Sequence, residues 1–152
     1  MLALFETMDK LSGKAAELTR AEWRELGFYY VSHDGEQKWE LHGSKSGLFN
    51  LSELLRNFAN DNREYGDHEH LLPHWYFTLT ASDAFAIDAR GISGTPEQLR
   101  NFATYFNGKV LSSANSSTVC VSKEIFNTDY SIEFTVHGDN FDPSSKDPQL
   151  QG

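Results

Sequence analysis

The sequence predicts an α+β fold: a largely antiparallel sheet of about six strands in three hairpins, with two main amphipathic helices on one face. Three observations carry this. Apolar and polar residues alternate in three pairs of short runs. Two segments instead repeat apolar residues at i, i+3, i+4 and i+7. And the chain is aromatic-rich, with eleven Phe, six Tyr and three Trp in 152 residues, which suits a packed core and not a disordered chain.

Taken in order, residues 1–18 space Leu4, Met8 and Leu11 as a short N-terminal helical arm ended by Gly13. "TRAEWRELG" offers a capping box at Thr19 and Glu22 and a stop at Gly27, which predicts one or two turns of helix. The first hairpin is "GFYYVSHDGEQKWELHGS". Phe28 and Tyr30 share one face, Trp39 and Leu41 one face of the partner strand, and Asp34-Gly35 makes the turn. "NLSELLRNFAN" is a helix with Asn50 as cap and Leu51, Leu54, Leu55 and Phe58 as its stripe. A polar loop, "DNREYGDHEH", leads to a second strand pair in which Trp75, Phe77 and Leu79 alternate with Tyr76, Thr78 and Thr80, and Phe85 and Ile87 return.

"TPEQLRNFATYFNGK" is the second main helix, with Thr95 as cap, Pro96 in the first position, Gln98 reaching back and Asn107-Gly108 as its end. Leu99, Phe102, Ala103 and Phe106 form its stripe. The third pair is "STVCVSKEI" with "YSIEFTVHG", in which Cys120 reads as a small buried residue. Residues 139–152 read as a loose tail. The whole, 1–152, is of a length for a single domain. "LRNFA" occurs at Leu55–Ala59 and again at Leu99–Ala103, which points to an internal ββα duplication with pseudo-twofold symmetry; the competing reading is two helices that need the same stripe.

Charge narrows the function. The net charge is −9, so phosphate backbones and anionic membranes are repelled, and a protein partner with a basic surface is the natural complement. No run of residues is long and apolar enough for a membrane span, and the N-terminus lacks the basic start of a signal peptide, which leaves a cytoplasmic protein as the expectation. The single cysteine excludes an intramolecular disulfide.

The densest chemistry lies in "DHEHLLPHWYF". His68 and His70 fall two apart, so on a strand they share a face, and a carboxylate or His74 could complete a metal set; that is the basis for a small metal-dependent enzyme built on the His-Glu-His cluster. Against it, Pro73 breaks the helical spacing of His70 and His74, and the flanks are loop-like. His33, His42 and His137 lie elsewhere in the sequence and could approach only in three dimensions. No nucleophile elbow or phosphate loop is present. The alternative for the same segment is a contact surface: Asp61, Glu64, Asp67 and Glu69 as an acidic stretch, His68, His70 and His74 beside it, and Tyr65 and Tyr76, with Trp75 nearby, as aromatic anchors. A small-molecule-binding module is a further reading, since aromatic strands over helices often enclose a pocket.

The runs "WRELGFYYVSHDGEQKWELHGSKSGL", "DHEHLLPHWYFTL", "GISGTPEQL" and "DNFDPSSKDP" together resemble the small bacterial immunity proteins that accompany polymorphic toxins. The resemblance spans roughly Trp23 to Pro148. It implies a non-enzymatic antitoxin that needs no cofactor and binds and occludes a cognate toxin domain, and it carries over no catalytic residue. An unpaired edge at the third hairpin would also make a homodimer easy.

Overall fold

A computed structural model describes residue 11 and residues 13–150. Leu4 and Met8 of the expected arm lie outside them. The described chain is α+β, as its patterning predicts, but its strands number eight and divide into two mixed sheets of four. The helices are α1 (Gly13–Leu26), α2 (Lys45–Asn60), α3 (Pro96–Ser112) and the single turn α4 (Lys123–Phe126). The strands are β1 (Phe28–His33), β2 (Lys38–Ser44), β3 (His68–Leu71), β4 (Phe77–Ala81), β5 (Ala86–Asp88), β6 (Gly91–Gly94), β7 (Thr118–Val121) and β8 (Ser131–His137).

The first sheet runs β1-β2-β8-β7 and the second β3-β4-β6-β5. In each, two antiparallel hairpins meet through a parallel pair, β2 with β8 and β4 with β6. The six-strand expectation fell short because β3 reads as polar loop and because β5 and β6 are only three and four residues long, joined across Ala89-Arg90.

These elements form two units with the same order of strands and main helix, β1β2α2β3β4 and β5β6α3β7β8, the second carrying the single turn α4 between β7 and β8. Exchanging the units maps the first sheet onto the second, since β1-β2-β8-β7 becomes β5-β6-β4-β3. The repeat is thus ββαββ, longer than the ββα read from the sequence. The "LRNFA" copies sit where α2 and α3 pack together. Arg56 donates to Thr104 at 3.5 Å and Arg100 to Asn60 at 3.2 Å, so each arginine reaches the residue four beyond the other. That reciprocity is a local twofold between antiparallel helices. The copies nonetheless occupy different places: Leu55 is the eleventh residue of α2 and Leu99 the fourth of α3.

Several boundaries move. Gly13 has φ +58 and begins α1, and Thr19 lies buried inside the helix. Ala16, Thr19, Trp23 and Leu26 form its inner stripe. Ser44, not Asn50, caps α2 by accepting from the Gly47 N–H; Asn50 instead donates to the Leu26 carbonyl at the end of α1 at 2.7 Å. The Thr95–Gln98 capping box and Pro96 stand as expected. α3 runs on past Asn107-Gly108 to Ser112, because Val110 adds another buried contact. Cys120 is exposed on the open edge strand β7.

Between the layers the buried side chains form one contiguous cluster, with Trp39, Leu41, Leu55, Phe58, Phe77, Phe102, Phe106 and Phe134 at 2% exposure or less. The C-terminal segment is docked, not loose. Pro143–Lys146 and Pro148–Leu150 form 3-10 turns, and Ser144, Asp147 and Leu150 are buried. Asp147 accepts at one oxygen from Trp23 Nε1 (2.8 Å) and His74 Nε2 (2.7 Å), tying the tail to α1 and to the β3–β4 loop.

Candidate functional site

Register decides which side chains of the second sheet face outward. His68 pairs with Thr80 and His70 with Thr78 across β3 and β4; Thr78 pairs with Gly91 and Thr80 with Ser93 across β4 and β6. Those rows point away from the core, because the intervening row of Leu79, Ile92 and Ile87 is buried. Gly91 is required in its row. It has φ +131, and a β-carbon there would stand 2.2 Å from the Thr78 carbonyl oxygen.

The β3–β4 loop rises over this face. The Leu72-Pro73 bond is cis, and Trp75 holds the left-handed conformation at φ +67. A bulky residue there is strained by about 1–3 kcal/mol, and strain of this kind gathers at functional sites. The conformation is held from two sides. His70 Nδ1 donates to the Trp75 carbonyl at 3.1 Å and the two rings stack at 5.6 Å. His74 donates to Asp147 and stacks on Tyr76 at 5.7 Å. Burial opposes ionisation of Asp147, yet the hydrogen bonds from His74, Trp23 and the Gln149 N–H hold its carboxyl below the usual range.

Together these residues line a shallow concavity of about 640 Å³ with walls of Tyr65, His68, His70, Trp75 and Tyr76 and a hydroxyl floor of Thr78, Thr80 and Ser93. Tyr65, Trp75 and Tyr76 are 73%, 59% and 65% exposed, unusual for three large aromatics side by side.

The residues singled out in the sequence therefore separate into four places. Tyr65, His68, His70 and Tyr76 share the concavity. Asp61 and Glu69 turn to the other side of β3, where Arg63 bridges them at 3.1 and 2.8 Å while lying over the Phe58 ring. Asp67 closes a turn by accepting from the Glu64 N–H, beside the concavity's rim. His74 is committed to Asp147, so the His68, His70 and His74 metal set does not assemble, and among the described residues no group of three or more His, Cys, Asp or Glu is arranged to hold a metal ion. Trp75, expected inside the strand, is instead the most conspicuous residue of the site: β4 begins at Phe77, and the proline two residues before Trp75 was the available signal that the strand starts late.

The remaining histidines do approach one another, on the outer face of the first sheet. His33 and His42 each donate through Nε2 to Glu40, at 2.8 and 2.6 Å, and His42 Nδ1 meets His137 Nε2 at 2.9 Å. Phe141 of the tail stacks flat on His137 at 3.9 Å. Burial raises the Glu40 carboxyl, but the two imidazoles hold it below its usual value. Burial, with the charges of His42 and Lys146, lowers His137, so that ring stays neutral more readily than a solvated one.

Three comparisons bear on the family. Residues 38–88 match the family model described as Immunity protein 32. The resemblance to immunity proteins of polymorphic toxin systems is thus borne out over about a third of the chain, and that third contains β2, α2 and every residue lining the concavity except Ala89, Arg90 and Ser93. No curated protein and no solved structure matches the chain. Among the described residues no helix is long and apolar enough to cross a membrane.

Proposed function

We propose that this protein is a non-enzymatic immunity protein that neutralises a cognate toxin by binding it through the aromatic concavity of the second sheet. The observation that carries the reading is the set of exposed, pre-positioned aromatics, Tyr65, Trp75 and Tyr76, inside the segment that matches the immunity family. Aromatic residues held rigid before binding lose little freedom on association, which is the property of interface hot spots. Occlusion then needs only a steric fit, helped by the −9 net charge if the toxin cleft is basic.

The test is to identify the gene beside this chain's own and to co-express its product, the expected toxin, with this protein. Wild type should co-purify with the toxin and protect the cell. The Trp75→Ala, Tyr76→Ala double variant should fold, yet bind at least about a hundredfold more weakly, since one hot-spot truncation costs about 2 kcal/mol or more and two do not simply add. Full protection by the double variant would remove the site. Failure of wild type to bind would remove the function.

A further inference from the structure

We infer that the concavity is a socket for a cationic side chain, arginine before lysine, presented by the protein partner. This deepens the partner-binding reading and rests on it.

Three features of the concavity select that chemistry. Its walls are π faces: Tyr65, Trp75 and Tyr76, with the His70 ring already stacked beneath Trp75. Aromatic faces carry negative quadrupole density and attract a cation placed over them. Its floor is made of oxygen: the hydroxyls of Thr78, Thr80 and Ser93 lie side by side along the outward rows of β4 and β6. The Thr78 hydroxyl already meets His70 Nδ1 at 3.0 Å; an aliphatic side chain would cover the Thr80 and Ser93 hydroxyls without bonding them, whereas a guanidinium donates in its plane while stacking through its face.

The third feature is charge. Asp83 accepts from the Tyr65 hydroxyl at 3.4 Å, so a carboxylate sits at one wall. Glu64 and Asp67 flank Tyr65-Gly66 in the chain and are exposed. Arg90 is the formal cation in the lining, and it leans toward Asp88 at 3.6 Å. The lining itself holds Arg90 and no carboxylate; the carboxylates Asp83, Glu64, Asp67 and Asp88 stand around its rim, where they outnumber Arg90 and favour an approaching cation. Arg63 does not alter this balance, because it serves Asp61 and Glu69 on the far side of β3. The concavity at the end of α1 shows the contrast: Arg24 and Asp142 pair across it and its lining holds one aromatic, Phe141.

The test uses the full chain, ¹⁵N-labelled, titrated with N-acetyl-arginine amide and with the neutral, near-isosteric citrulline compound. The Trp75 indole signal is assigned by its disappearance in Trp75→Leu. Arginine should shift the Trp75 indole and the Gly66 amide saturably, and citrulline should bind about threefold or more weakly, the ratio expected of an exposed cation–π contact. Lysine amide should fall between them, and Tyr65→Leu should weaken arginine alone. Equal responses to arginine and citrulline, or no response from a chain whose spectrum is native, overturns the socket. The two readings fail separately. Toxin capture that depends on Trp75 without any preference for arginine overturns the socket and keeps the partner; arginine preference without toxin capture overturns the partner.

Discussion

Gly47 shows how a single residue can fix the joint between two helices. A β-carbon built on it would lie 1.9 Å from the Gly27 carbonyl oxygen, and Gly27 itself holds φ +92 at the end of α1. The backbones touch there, so neither neighbour can yield as a flexible side chain would. Gly47→Ala should therefore cost about 3 kcal/mol, the upper part of the overpacking range, seen as a lower denaturation midpoint at unchanged slope. A loss under about 1 kcal/mol would mean that α1 shifts freely against α2. His137 makes a different prediction. Its folded value lies below the value in the unfolded chain, so the unfolded state binds the proton more readily, and stability falls as pH drops below about 6.5. The groups facing it are His42 and Lys146, both capable of positive charge, with Glu40 beyond His42. His137→Gln should flatten the stability profile between neutral pH and about pH 5; an unchanged slope would place the titration elsewhere.

At the scale of elements, legibility followed periodicity. The stripes are buried as read, Leu51, Leu55 and Phe58 fully with Leu54 half-buried beside them, and Leu99, Phe102, Ala103 and Phe106 fully; the alternating row Ile132-Phe134-Val136 is buried too. Long amphipathic runs repeat their signal several times, and that is why they survive. β3 carried no such signal, since His68, Glu69 and His70 are all exposed on an edge strand and only Leu71 turns inward. The helix starts were misplaced for a related reason. Asn50 has the chemistry of a cap and uses it, but on α1, across a contact no local window contains. In the candidate site, Tyr65, His68, His70 and Tyr76 were legible as a cluster, whereas the position of Trp75 depends on its φ of +67 and on the distant Asp147, 73 residues from the His74 it holds. The acidic stretch was legible as composition only; that Arg63 withdraws Asp61 and Glu69 from it is a tertiary fact.

The tail works at the scale of the molecule. Asp142 bonds Arg24, and that guanidinium together with Ser144 takes its carboxyl from the usual range to about 2. A carboxylate lowered on folding stabilises above its unfolded value near 4, and the benefit is lost as pH falls toward 2. Asp142→Asn should thus weaken tail docking at pH 7 and differ little from wild type near pH 2, read from hydrogen exchange at Ser144 and Leu150. The pair is half-exposed, so the gap at pH 7 should be small and shrink further in high salt. A gap that persists undiminished at pH 2 would assign the tail's docking to packing alone.

Each ββαββ half gives one hairpin to each sheet, so neither half owns a complete sheet. Topologically the chain is a strand-exchanged dimer written as one polypeptide, with Ser82–Phe85 as the tether between its partners. Severing that tether should leave two fragments, 1–82 and 83–152, that are each unable to fold alone and that recover the structure only when mixed, since the parallel pairings β2·β8 and β4·β6 both cross the cut. On the proposed function, a cell making the halves from separate messages would be protected only where both are present.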